Sequence, residues 1–170
     1  YTSKHTTETI IDLSKNLNKI PLTVNDFPGF ISNRILLPMI NEAIEALDDK
    51  VSSVKSIDGI MKLGMGHPMG PLQLADLIGL DVMHSVGKNL ATNLPANDAG
   101  LPFTKLPSEE QNLFDNKQLG RKTGGGFYRI KNLDSGEKVK VTFDLANGEW
   151  NTFNIIQSEK DLNIILEDSE

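Results

Sequence analysis

The stretch from Asp26 to Leu47, DFPGFISNRILLPMINEAIEAL, decides how the rest of the chain is read. Ile31, Ile35, Leu36, Met39, Ile40, Ala43, Ile44 and Leu47 recur at intervals of one, three and four, a broad apolar stripe that predicts a helix. Pro38 lies inside it and lacks the N–H a helix interior needs, which predicts a kink near Arg34 to Pro38. Pro28 and Gly29 predict a turn at the mouth of the helix, with Phe30 and Ile31 anchoring its start. Asn33 and Arg34 are the unusual choices, because an apolar residue would serve a plain helix as well. An Asn amide both donates and accepts, which suits orienting a substrate carbonyl or hydroxyl. Spacing alone leans the other way, to Asn33 as a local cap and Arg34 as a salt-bridge donor.

Downstream, SSVKSIDGIMKLGMG predicts a second helix capped by Ser52 or Ser53, with Ile57, Ile60, Met61 and Leu63 facing inward and Gly64 and Gly66 ending it. HPMGPLQLADLIGLDVMHSVGKNLATNL predicts two more, with Pro71 in a first turn and Gly79 at the break. SEEQNLFDNKQLG predicts another, capped by Ser108 with Glu109 and Glu110 in its first turn. After Gly126 the pattern alternates, and FYRI, KVKVTFDL and EWNTFNII read as three short strands with a hairpin signal at Asn147-Gly148. The acidic SEKDLNIILEDSE closes the chain. Upstream, TTETIIDLSKNLNK predicts a helix capped by Thr6 or Thr7, and IPLTV a short strand. A lone strand leaves its backbone groups unpaired, so this piece expects a sheet the chain does not otherwise supply.

The length of 170 residues fits one domain, or one domain carrying part of another. A formal net charge of −6 argues against non-specific nucleic-acid binding. The absence of cysteine removes disulfides, thiolate catalysis and cysteine zinc sites. No apolar run approaches the roughly 20 residues a membrane span needs, and YTSKHTTETI lacks the apolar core of a signal peptide. A soluble cytoplasmic protein is the expectation. The chain opens on Tyr1 rather than Met, as a piece of a longer or processed chain would.

None of the three histidines stands in a catalytic spacing. His5 is expected in solvent, His84 in packing or at the surface, and His67 in the tight loop GMGHPMGP. No spacing of His, Asp or Glu suggests a metal site. GMG does not open a dinucleotide-binding turn, and GRKTGGGFY lacks the Walker A spacing. The latter reads as a helix-to-strand turn with Arg121 and Lys122 at the surface, in preference to a phosphate site.

DFPGFISNRILLPMINEAIEAL, SIDGIMKLGMGHPMGPLQLADLIGLD and LGRKTGGGFY, in this order and spacing, resemble the C-terminal domain of the L-3-hydroxyacyl-CoA dehydrogenases over roughly residues 20 to 130. The resemblance implies a mainly α fold, the helical domain of a 6-phosphogluconate-dehydrogenase-like enzyme. Residues 1–25 look like the last helix and strand of an absent Rossmann NAD-binding domain, 26–130 like the helical domain, and 131–170 like a β-hairpin extension. It implies NAD-dependent oxidation of 3-hydroxyacyl-CoA to 3-oxoacyl-CoA, in fatty-acid β-oxidation or butanoate metabolism. Asn33 matches the family's active-site asparagine, which contacts the substrate near its reacting group. The family's catalytic His-Glu pair, with its His-x-x-Asn-Pro motif, and the NAD glycine fingerprint have no match here. The chain alone is therefore expected to lack the base and the NAD site. Gly125 departs from the family pattern, where many members carry a basic residue.

Two rivals remain: a non-enzymatic helical assembly module, and a domain of a related β-hydroxyacid dehydrogenase. An upstream Gly-x-Gly-x-x-Gly and His-x-x-Asn-Pro in the reading frame would favour the enzyme. A homodimer is also expected. Met39, Ile40, Ile44, Leu72, Leu74, Leu77, Ile78, Leu80 and Met83 carry more apolar surface than a small bent bundle readily buries, and the family pairs through this domain.

Overall fold

In the computed structural model, residues 2–144 and 149–152 are described. The first helix, α1 (Lys4–Asn16), starts earlier than the sequence suggested, because the Ser3 hydroxyl accepts from the Thr6 N–H at 3.1 Å. It buries no side chain, and its stripe of Ile10, Leu13 and Leu17 stands exposed. The strand expected at 20–24 is not formed. Residues 19–27 carry no regular structure, and without a neighbouring strand a ladder has no donor or acceptor to pair with.

Helix α2 (Ser32–Asp48) follows a backbone reversal at Gly29 (φ +80°) and Phe30 (φ +47°). Its core face is Leu37, Ile40, Ile44 and Leu47, whereas Ile31 and Ile35 from the expected stripe are exposed. The helix runs unbroken through Pro38, whose missing N–H leaves the Arg34 carbonyl without its usual helical partner.

Helix α3 (Val54–Gly59) is capped by Ser53, as expected, and passes into a π-helical turn over Ile60–Gly64. The wider turn changes the register, and Ile60 and Leu63 point to solvent rather than inward. The buried residues of α3 are Val54 and Asp58. Helices α4 (Pro71–Ile78) and α5 (Leu80–Asn93) meet at Gly79 (φ +97°), whose N–H closes one helix on Ala75 and whose carbonyl opens the next toward Met83. Pro71 occupies the first position of α4, as read from the sequence.

Helix α6 (Ser108–Asp115) is not capped by Ser108. Ser108 is already helical, and the Asp48 carboxylate at the end of α2 accepts from the Ser108 and Glu109 N–H groups at 2.7 and 3.1 Å. The cap is tertiary.

These helices enclose one core in which Ile40, Ile44, Leu72, Leu80 and Met83 are buried, with Met39, Leu74 and Ile78 packed against them. Of the nine residues expected to need a partner's cover, Leu77 is the one left exposed, at 49%. Five of the other eight are buried within this chain, and Met39, Leu74 and Ile78 are partly buried.

Strands β1 (Tyr128–Asn132), β2 (Lys138–Asp144) and β3 (Glu149–Thr152) form an antiparallel sheet in that order. The β1–β2 turn passes through Gly136 at φ +82°. The Asn147-Gly148 hairpin and the acidic terminus lie outside the described residues. The architecture is mainly α with a short sheet, as the sequence implied.

Candidate active-site cleft

The reversal at Gly29 and Phe30 places the first turn of α2 beside α5. A Cβ added at Gly29 would stand 2.8 Å from Leu90 Cδ2, and the positive φ disfavours one independently. Phe30 and Asn33 from this corner, with Asp81, Val82, Ser85 and Asn89 from α5, line an open cleft of about 390 Å³. Asn33 does not act as a cap. Its backbone N–H bonds the Gly29 carbonyl at 3.1 Å, and its half-buried side-chain amide has no hydrogen-bond partner among the described residues. It can offer a donor and an acceptor to a molecule in the cleft.

Arg34, one residue on, is used structurally. Its guanidinium bonds Asp98 at 3.1 Å and lies 5.0 Å from the Phe27 ring centroid. The Gly100 N–H and then Arg34 hold the Asp98 carboxyl below its ordinary value. At the cleft wall, Lys122 pairs with Asp81 and lowers that carboxyl as well.

Between α3, α4 and β1 lies a buried polar node. Asp58, 3% exposed, accepts from the Leu72 and Gln73 N–H groups at 2.8 and 3.0 Å, so it caps α4 from α3. The Tyr128 hydroxyl donates to the same carboxylate at 2.6 Å. Asp76, also 3% exposed, accepts from the Phe127 and Tyr128 N–H groups, both at 2.9 Å. Burial pushes Asp76 up to about 6, against the pull of those two donors, and raises Asp58 likewise. Burial, and after it the Asp58 and Asp76 carboxylates, push the Tyr128 phenol well above its ordinary value.

This node accounts for two of the four glycines of GRKTGGGFY. A Cβ at Gly126 would run into the Asp76 carboxylate, and one at Gly120 into the Asp76 carbonyl. The loop closes on itself through Gly120 and Gly125, and Thr123 Oγ1 receives the Leu119 N–H at 2.8 Å. It joins a helix to a strand and its close-packed face is filled by Asp76, so it does not fit the strand-to-helix glycine turn that holds a dinucleotide. The turn reading holds, with Arg121 and Lys122 at the surface.

His5 is exposed, His84 stacks on Phe114 with centroids 4.6 Å apart, and the His67 N–H bonds the Met61 carbonyl. Among the described residues, no three His, Asp or Glu side chains are grouped to hold a metal. No helix among them is long and apolar enough to cross a membrane.

The sequence reading missed three features. The two buried aspartates sit in helical stretches where acids read as surface residues. Glu110 is fully buried, neither of its carboxylate oxygens has a partner among the described residues, and burial pushes it up to about 7. A set of cations gathers where the Arg121 loop meets the sheet; only Arg121 carried a signal, as a surface residue.

Residues 29–130 match the family model described as 3-hydroxyacyl-CoA dehydrogenase, C-terminal domain. The chain is 49% identical over 127 residues to a 3-hydroxybutyryl-CoA dehydrogenase of Clostridioides difficile, covering 75% of this chain and 43% of the relative. It is 47% identical over 128 residues to a probable 3-hydroxybutyryl-CoA dehydrogenase of Deinococcus radiodurans, covering 75% of this chain and 44% of the relative. The solved (S)-3-hydroxybutyryl-CoA dehydrogenase of Ralstonia eutropha superposes with a TM-score of 0.65 at 46% identity, over 74% of this chain and 42% of that one. The chain thus spans less than half the length of the relatives it matches. By sequence motif, fold and similarity alike, it belongs to the 3-hydroxyacyl-CoA dehydrogenase family, and it corresponds to that family's C-terminal domain.

Proposed function

We propose that this chain is the substrate-facing half of an NAD-dependent 3-hydroxyacyl-CoA dehydrogenase that oxidises short 3-hydroxyacyl-CoA thioesters to their 3-oxo forms. The single observation that carries this is the Asn33 amide, open to a cleft and unpartnered among the described residues. Oxidation at C3 removes the hydroxyl proton and leaves negative charge growing on that oxygen. A fixed amide N–H aimed at it stabilises the charge more than the neutral hydroxyl, which is the condition for lowering the barrier. The base and the NAD site belong, on this reading, to a Rossmann domain joined to this one. The short-chain preference rests on the two relatives named for 3-hydroxybutyryl-CoA.

The same reading includes a cytoplasmic enzyme that pairs as a homodimer through the helical domain. Leu77, Val82, Ile60, Leu63 and Met65 are exposed apolar residues available to such an interface. The test is an assay of the whole protein that carries this chain, with 3-hydroxybutyryl-CoA and NAD, following NADH absorbance. Turnover of the short thioester is the expected result. Inactivity toward 3-hydroxyacyl-CoA of every length would overturn the assignment.

A further inference from the structure

We propose that a second cleft, formed where the Arg121 loop meets the β1–β2 hairpin, binds the diphosphate group of a phosphorylated small molecule. The cleft measures about 630 Å³ and is lined by Arg121, Arg129, Lys138 and Lys140, with Gln73 and Asn132 beside them. Four cations on one cavity stand out in a chain whose net charge is −6.

Among the described residues, no carboxylate forms an ion pair with any of the four. The three ion pairs found among the described residues, Lys4–Glu8, Arg34–Asp98 and Lys122–Asp81, involve none of the four. The acid in the lining, Asp76, is 3% exposed, and its two oxygens are bound to the Phe127 and Tyr128 N–H groups. Burial and then the Arg121 charge hold the Lys140 ammonium below its ordinary value, against the opposing pull of the Asp58 and Asp76 carboxylates.

Two of the cations are held in place without losing charge. Arg129 Cζ stands 3.9 Å from the Trp150 ring centroid, and Lys140 Nζ the same distance from that of Tyr128. The Arg129 stem runs across Gly125, where a Cβ would come within 2.6 Å of Arg129 Cγ, so the missing side chain is what lets it lie there. Lys138 and Lys140 are two apart on β2 and share a face, opposite Asn132 and Ile130 on β1. Arg129 pairs with Val141 and so projects from the face opposite Lys138 and Lys140. This brings guanidinium and ammonium groups to the cavity from the two sides of β1, and the space exceeds what one phosphate fills. The N–H groups of Gly124, Gly125 and Gly126 are bonded within the loop and its strand, so recognition falls to the side chains and should be salt-sensitive.

This inference does not rest on the dehydrogenase reading. Both coenzyme A and an unrelated phosphorylated metabolite carry the group, and the test separates them. Inorganic diphosphate is titrated calorimetrically into the full 170-residue chain at 50 mM salt. The expected result is saturable binding of one ion per chain. It should weaken at least tenfold in Arg129→Gln/Lys140→Gln and in Lys138→Glu, at unchanged melting temperature, and stay unaffected in Asn33→Ala. Should the double variant fail to fold, Lys138→Glu, on an exposed side chain, decides alone. Displacement of diphosphate by coenzyme A assigns the site to the coenzyme; diphosphate binding that coenzyme A leaves untouched assigns it to another phosphorylated molecule. Absence of saturable binding, or binding that the charge variants leave intact, would overturn the proposal.

Discussion

The Asp58–Asp76–Tyr128 node and the Asn33 cleft are both built from polar side chains inside a mainly helical domain, and they treat those groups in opposite ways. In the node, the carboxylates are buried and every one of their four oxygens but one of Asp58's serves a single donor; Asp58 Oδ2 serves two. In the cleft, the Asn33 amide is reachable and has no partner among the described residues. A buried polar group that is fully bonded fixes the fold, whereas a reachable one left unbonded is available to a ligand. The node joins α3, α4 and β1, and α4 runs straight into α5, which carries the cleft wall.

The sharpest way to break this contrast is at the node. Asp76→Ala leaves the Phe127 and Tyr128 N–H groups buried without acceptors, and should cost about 3–5 kcal/mol of stability. Urea unfolding measures it; a loss under 1 kcal/mol would mean that the node is not structural.

Glu110 is the exception that tests the rule, since it is buried and unbonded yet opens on no cleft described here. Its folded value of about 7 lies above the ordinary 4.5, so the folded state binds its proton more tightly. Its contribution is fully present below about pH 4.5 and is lost as pH rises to about 7, a change of about 3 kcal/mol against folding. Glu110→Gln should flatten that slope and raise stability at pH 8. Denaturant midpoints at pH 5 and pH 8 provide the check, and an unaltered slope would show the carboxyl to be solvated.

A smaller effect belongs to the tertiary cap. Asp48→Ala removes the acceptor for the first N–H groups of α6 and should cost about 1 kcal/mol, while Ser108→Ala should cost less. Equal losses in thermal melts would restore Ser108 as the cap.

Much of this was legible in the sequence because it is local. The α2 periodicity, the Ser53 cap, Pro71 at the start of α4 and the Gly79 break each follow from a few neighbouring residues. The rest depends on partners remote in sequence. The cap on α6 comes from Asp48, 60 residues away, and Gly126 is glycine because Asp76, from another helix, fills the space a side chain would need. The exposure of Ile60 and Leu63 follows from a π-helical turn that has no clear periodic signature. IPLTV has strand composition but pairs with no strand among the described residues. At the cleft, the residue types showed Asn33 and Arg34 to be unusual, while only the structure divided their roles, with Arg34 bonded to Asp98 and Asn33 left open.

The central claim, that Asn33 is kept free for the reacting oxygen, is tested most directly by Asn33→Ala in the complete enzyme. Turnover and thermal stability are measured on the same preparation. The account predicts a fall in kcat of about 10²- to 10³-fold, as for loss of one oxyanion donor, with stability changed by less than about 1 kcal/mol. A variant that melts early but turns over at the normal rate would contradict it and make Asn33 a structural residue.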